Sequence, residues 1–148
     1  MLGFVKKYIR RSAAWRRKSF RKTERLIHKL RKQGLSEEQV ADYFLHDNLS
    51  RKEKKFCPLF ADGKKCHILS GDRLNCLGCY CPYFSAEVNE KDGFIECGLC
   101  TVSSPAARRA VSAKNPKLTV LDCSMCVIPH QHSRVWEILN RDFPRANG

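Results

Sequence analysis

The stretch Asn75-Cys76-Leu77-Gly78-Cys79-Tyr80-Cys81-Pro82-Tyr83-Phe84 places three cysteines within six positions and decides how the second half of the chain is read. A Cys-x-x-Cys turn puts two thiolates on one tight loop, where backbone amides can hydrogen-bond to the sulfurs and steady their charge. Cys81 stands two residues beyond Cys79, projects differently from it, and could serve a second metal or bridge two. Two further pairs, Cys97-Gly-Leu-Cys100 and Cys123-Ser-Met-Cys126, repeat the arrangement. One such pair is weak evidence of a metal site, whereas three close together are strong evidence. Cys57 and Cys66 add an outer pair, and His67 and His130 are possible nitrogen ligands.

Nine cysteines in 148 residues would suggest a disulfide framework in a secreted chain, but the odd count and the pair spacings suit tetrahedral thiolate sites better. Met1 to Arg11 lacks the apolar core of a secretory signal peptide, so the expected setting is a reducing, cytoplasmic one. No apolar run approaches the ~18 residues of a membrane span. The 43% hydrophobic content includes the cysteines, so the ordinary apolar supply is thin and bound metal is expected to supply part of the stability.

Eight thiolates divide naturally into two four-ligand sites. Zinc suits turns offering four thiolates, or three and an imidazole. An iron-sulfur cluster competes, because Cys81-Pro82 at the end of a dense cysteine run is similar to the ending of ferredoxin ligand loops, although the spacing differs.

Residues 56–130 resemble the cysteine-rich small domain, a prokaryotic family found alone or fused to enzymes, some of them in cobalamin biosynthesis. The likeness rests on Cys66-His67, the ten-residue block above, Cys97-Gly98, and Asp122-Cys-Ser-Met-Cys-Val-Ile-Pro-His130. It implies ligands at Cys57, Cys66, Cys76, Cys79, Cys81, Cys97, Cys123 and Cys126, with His67 and His130 in or near the shell. Cys100 is extra to that pattern, and the segment Ser103 to Lys117 is longer than it.

The net charge of +13 is carried by the other end of the chain. Residues 1–32 hold 13 Lys or Arg against Glu24 alone, whereas residues 56–148 hold 11 against 9 acids. Eight thiolates on two divalent ions would make that second region mildly acidic. From Phe4 to Gln33 there is neither Pro nor Gly, and Phe4, Val5, Tyr8, Ile9, Ala13, Phe20, Ile27 and Leu30 recur at spacings near three and four. This predicts an amphipathic helix ending at a Gly34 cap. Ser36 with Gln39 predicts a capping box for a second helix, with Leu35 stapling onto Val40.

The expected organisation is a basic helical hairpin at 1–50, a linker at 51–55, and a cysteine-rich domain at 56–143. Its fold class is a small metal-stabilised α+β or irregular domain with zinc-ribbon or treble-clef-like knuckles. A short helix is expected over Ala106 to Ala113, after Ser104-Pro105, and a closing helix over Ser133 to Asp142. His28, His46 and His132 read as ordinary surface, hairpin or capping residues.

Residues 1–23 contain no acid at all, which suits a phosphate backbone. Lys6, Lys7, Arg10, Arg11, Arg16, Arg17, Lys18, Arg21 and Lys22 are the expected contacts, to RNA or a ribonucleoprotein, with an acidic protein surface as the alternative partner. An anionic membrane surface fits the same helix less well. Trp15, Tyr8 and Phe20 could stack on bases or pack inward. A different class of function is an iron-sulfur redox or metal-handling accessory to a cobalamin-related or other anaerobic enzyme. Stand-alone catalysis is disfavoured, since no Ser/His/Asp set, phosphate loop or paired carboxylate site appears.

Overall fold

A computed structural model describes residues 2–146, which form a mixed helix and sheet architecture in two compact units. Among the described residues, the first unit joins residues 2–17 to 83–126, and the second joins 18–82 to 127–146. The expected linker at 51–55 thus falls inside the second unit.

Helix α1 runs Leu2–Lys32 and contributes to both units. Its end is fixed by local chemistry. Gly34 sits at φ 86°, where a side chain would be strained. The Gly34 N–H donates to Arg31 O at 3.0 Å and the Leu35 N–H to Leu30 O at 3.2 Å, the pairing of a Schellman cap. Helix α2, Glu37–Tyr43, opens with the expected capping box, both Ser36–Gln39 bonds being present. Leu35 packs against the cluster that contains Val40. A third helix, α3 at His46–Lys52, follows after Phe44 and Leu45. The hairpin reading did not separate it from α2.

In the second unit Leu26, Ile27, Leu30, Val40, Phe44 and Leu77 are buried with Ile138 and Leu139 of the closing helix α4, Val135–Asp142. Phe20 stacks on Phe143 at 4.9 Å between ring centres and meets the Tyr80 ring edge-on. Aromatic pairs of this kind add about 0.5–1.5 kcal/mol each beyond area burial.

The first unit is built on a four-stranded sheet: β1 Phe84–Lys91, β2 Phe94–Cys100, β3 Arg108–Ser112 and β4 Asn115–Asp122, in the order β1-β2-β4-β3. β2 and β4 are parallel, and the outer pairs are antiparallel. Asp92 and Gly93, both at positive φ, make the β1–β2 turn, as two-residue hairpins require. Val5 of α1 is buried with Ile95, Cys97 and Leu118, and Tyr8, Ile9, Val88 and Val120 pack around them. The helix expected over Ala106 to Ala113 is absent, and Arg108–Ser112 is strand β3 instead. Its five residues pair with β4 from Arg108↔Asp122 to Ser112↔Asn115, and that ladder overrides the local Ser-Pro start signal.

Candidate functional site

The two units divide the nine cysteines. Cys57, Cys66, Cys76, Cys79 and Cys81 belong to the second unit, and Cys97, Cys100, Cys123 and Cys126 to the first. None is paired in a disulfide.

In the second unit the Cys76–Cys79 knuckle is a buried turn, closed by the Cys79 N–H donating to Cys76 O at 3.2 Å. The Cys81 N–H then donates to Gly78 O at 2.8 Å, and Cys81 adopts φ 47°. Gly78 is required here, because a Cβ would lie 2.1 Å from the Pro129 carbonyl oxygen. Burial raises the Cys76 thiol strongly, and the neighbouring Cys79, Cys66 and Cys57 add to it. Burial likewise pushes Cys79 up to about 11, opposed by the Lys22 charge. Cys66 is raised by burial and by Cys57. Thiols crowded this way stay protonated until a cation enters among them, when the charge balance reverses.

Asn75 anchors this knuckle. It is fully buried; its Nδ2 donates to Ala41 O at 2.9 Å, and its Oδ1 accepts the Leu77 N–H at 2.9 Å. Its backbone N–H donates to His130 O at 2.7 Å. One residue therefore fastens the thiol turn to α2 and to the segment carrying His130. The clue in the sequence was its place one residue ahead of the Cys-x-x-Cys, where a side-chain oxygen can bond an amide two residues on.

Cys66, His67 and His130 bring one ligand atom each within 4.8 Å of one another. The His67 and His130 rings lie 4.4 Å apart at 35°. Burial, then the neighbouring His67, lowers the His130 pKa to about 4, which keeps the imidazole neutral, the form that binds metal. His46, expected as an ordinary surface or hairpin residue, is buried at the start of α3, with its ring edge-on to Phe60 at 5.5 Å. His132 is half-buried, with Nδ1 3.1 Å from Asn75 Nδ2.

In the first unit β2 and β4 run parallel, with Cys97 opposite Val120, so both strands end at the same edge of the sheet. Cys100 closes β2, and the Cys123–Cys126 turn follows β4. Ser104 stands between them. Its N–H points at the Cys100 sulfur at 3.4 Å, and its hydroxyl lies 3.1 Å from the Cys126 sulfur. Cys97 is placed differently, fully buried in the apolar cluster with Val5, Ile95 and Leu118. Tyr8 of α1 is raised by burial, and the nearby Cys97 and Cys123 push the same way. In the sequence Ser104 reads only as part of a helix start, because only the strand pairing brings it to the thiols.

The helix α1 has a buried side marked by Val5, Ser19, Thr23, Leu26, Ile27 and Leu30. At about 100° per residue, Lys6, Lys7, Arg10, Arg11, Arg17, Lys18 and Arg21 fall on the opposite side, and all seven are exposed. Arg25 continues the row. Arg16 is half-buried. Lys22 is also half-buried; its amine donates to Phe56 O and sits 4.2 Å from the centre of the Phe56 ring. Phe4 and Trp15 are half exposed, whereas Tyr8 and Phe20 pack inward.

No helix among the described residues is long and apolar enough to cross a membrane. No protein-family model, no curated protein and no solved structure matches this chain.

Proposed function

We propose that this protein is a non-enzymatic, metal-stabilised nucleic-acid-binding protein, in which cysteine-rich centres scaffold the fold and the free side of α1 engages RNA or a ribonucleoprotein surface. The observation that carries the reading is the one-sidedness of α1. One side buries Val5, Leu26, Ile27 and Leu30, and from Lys6 to Arg21 its opposite side bears basic residues and no acid. A solvated helix face ordinarily mixes signs, because like charges four residues apart repel. A polyanion removes that cost and releases its condensed counterions.

The metal reading is supported by the meeting of Cys66, His67 and His130 in one unit and by the convergence of Cys100 and Cys126 on Ser104 in the other. The cysteine-rich small domain is the family whose motifs the chain resembles, and zinc is the metal proposed for a structural role. Free thiols in this number suit a reducing compartment, so a cytoplasmic location is proposed.

The test is binding of a fluorescent single-stranded RNA to full-length, metal-replete protein across a salt series. The log of affinity should fall against the log of salt with a slope of about 0.7 per phosphate contacted. The triple charge reversal Arg10→Glu, Arg11→Glu, Arg17→Glu should abolish binding while leaving metal content unchanged. Salt-independent binding, or an unaffected triple variant, overturns the nucleic-acid reading. Anionic vesicles that outcompete the RNA would overturn it in favour of a membrane surface.

A further inference from the structure

We infer that Cys66, His67 and His130 form a mixed nitrogen and sulfur metal site with one coordination position left open to solvent. The inference rests on the metal-binding reading above and says what kind of centre one of its sites is. A tetrahedral ion bound by two imidazoles and one thiolate holds its ligand atoms about 3.3–3.8 Å apart. The three groups already stand within 4.8 Å of one another, so side-chain adjustment of about 1 Å closes the set around an ion.

His130 gives the strongest indication. It is 7% exposed, and its Nδ1 is buried with no hydrogen-bond partner. A buried imidazole nitrogen left without a partner costs about 1–3 kcal/mol. A metal ion at that nitrogen removes the cost. The ring is held in place through its backbone, where His130 O accepts the Asn75 N–H and the His130 N–H donates to Val127 O at 2.9 Å. The Leu69 N–H donates to His67 O at 3.0 Å, tightening the loop that carries the other two ligands.

Only three protein ligands converge here among the described residues. Structural zinc sites are closed by four protein ligands, whereas sites with three keep a water or an exogenous ligand in the fourth position. Cys66 is exposed as a residue, although its sulfur is partly desolvated, and Ile68, two residues on, is 98% exposed, so the loop carrying two of the ligands lies at the surface, where solvent can reach the ion. One thiolate and two neutral imidazoles leave a divalent ion with a net charge of +1, and Lys64 and Lys65 precede Cys66 in the chain. The ligand favoured at the open position is therefore a small anion.

The test uses full-length protein refolded with cobalt(II), whose visible spectrum reports ligand type and geometry. His130→Gln and His67→Gln should each lose one equivalent of cobalt per chain. Azide should shift the visible bands of the wild-type protein and leave those of both variants unmoved. Far-ultraviolet circular dichroism checks folding, and if His130→Gln unfolds, the half-buried His67→Gln carries the test. Cobalt stoichiometry and spectrum unchanged in the histidine variants would overturn the site while leaving metal binding intact. Loss of cobalt in the variants with no azide response in the wild type would overturn the open position, because a fourth protein ligand must then close it. Failure of the wild-type protein to bind cobalt would overturn the metal-binding reading itself.

Discussion

Replacing Asn75 with alanine should destabilise the second unit by about 3–5 kcal/mol. The buried Leu77 N–H, which donates to Asn75 Oδ1 at 2.9 Å, loses its partner, and the Ala41 carbonyl loses the 2.9 Å bond from Asn75 Nδ2 and keeps only the longer one from the Phe44 N–H at 3.3 Å. Ala41 and Leu77 are at most 1% exposed, so water cannot substitute without opening the core. The orphaned N–H costs about 1–3 kcal/mol, and the lost carbonyl bond and the space left by the side chain cost about 1 kcal/mol each, which together give the figure. The total is a large share of the 5–15 kcal/mol that holds an ordinary domain together. In urea, where the slope is about 1–3 kcal/mol per molar, the midpoint of the metal-replete protein should fall by about 2 M with little change in slope. Asn75→Asp keeps the acceptor for Leu77 but turns a carboxylate oxygen toward the Ala41 carbonyl, so it should not rescue the loss. A shift below about 1 kcal/mol for Asn75→Ala would refute the role assigned to this residue.

The two cysteines of the second knuckle pair should behave oppositely. Cys97→Ala should retain full metal content and lose about 1–2 kcal/mol of stability from the apolar cluster. Cys100→Ser, at the thiol group beside Ser104, should bind one equivalent of metal less, and metal analysis of the two purified variants decides between the assignments. Gly78→Ala should fail to fold at normal yield, because its Cβ meets the backbone of Pro129; a soluble variant of native stability would contradict that packing. Hydrogen bonding to Arg31, with Arg145 assisting, holds the Glu37 carboxyl below its ordinary pKa of 4.5. The folded pKa is depressed, so this contribution is present in full above the unfolded value and lost as pH falls through the folded one. Urea midpoints measured from neutral pH down to about pH 3 should show a drop that Glu37→Gln flattens.

Lys22 illustrates how charge alone misleads. It sits in the same basic run as Lys18 and Arg21, yet the helical rotation brings it toward the buried side, against Phe56 and close enough to oppose the burial that raises the thiols of Cys76 and Cys79. Of the aromatic residues in that run, Tyr8 and Phe20 pack inward, while Trp15 is 51% exposed. At about 100° per residue Trp15 falls as near the buried side as Phe20 does, so what packs on the helix, and not the periodicity alone, decides which of them is covered.

What the sequence by itself determined are the features made by residues a few positions apart: the long α1, its Gly34 cap, the Ser36–Gln39 box and the thiol turns at Cys76–Cys79 and Cys123–Cys126, whereas the third pair, Cys97 and Cys100, expected as a like turn, lies in strand β2. Their hydrogen bonds close within one helical turn or one loop, so neighbouring residues contain the whole cause. Tertiary structure alone decided the rest. Arg108–Ser112 became a strand because β4 lies beside it, and Cys97 entered the core while Cys100 met Ser104 because β2 and β4 run parallel. The cysteines fell five to one unit and four to the other, and His67 met His130 across a long interval of chain. Such meetings depend on non-local pairing, whose chain-closure entropy is repaid only by contacts distant in sequence. Spacing shows which residues are of the types that could hold a metal; the folded chain decides which of them meet.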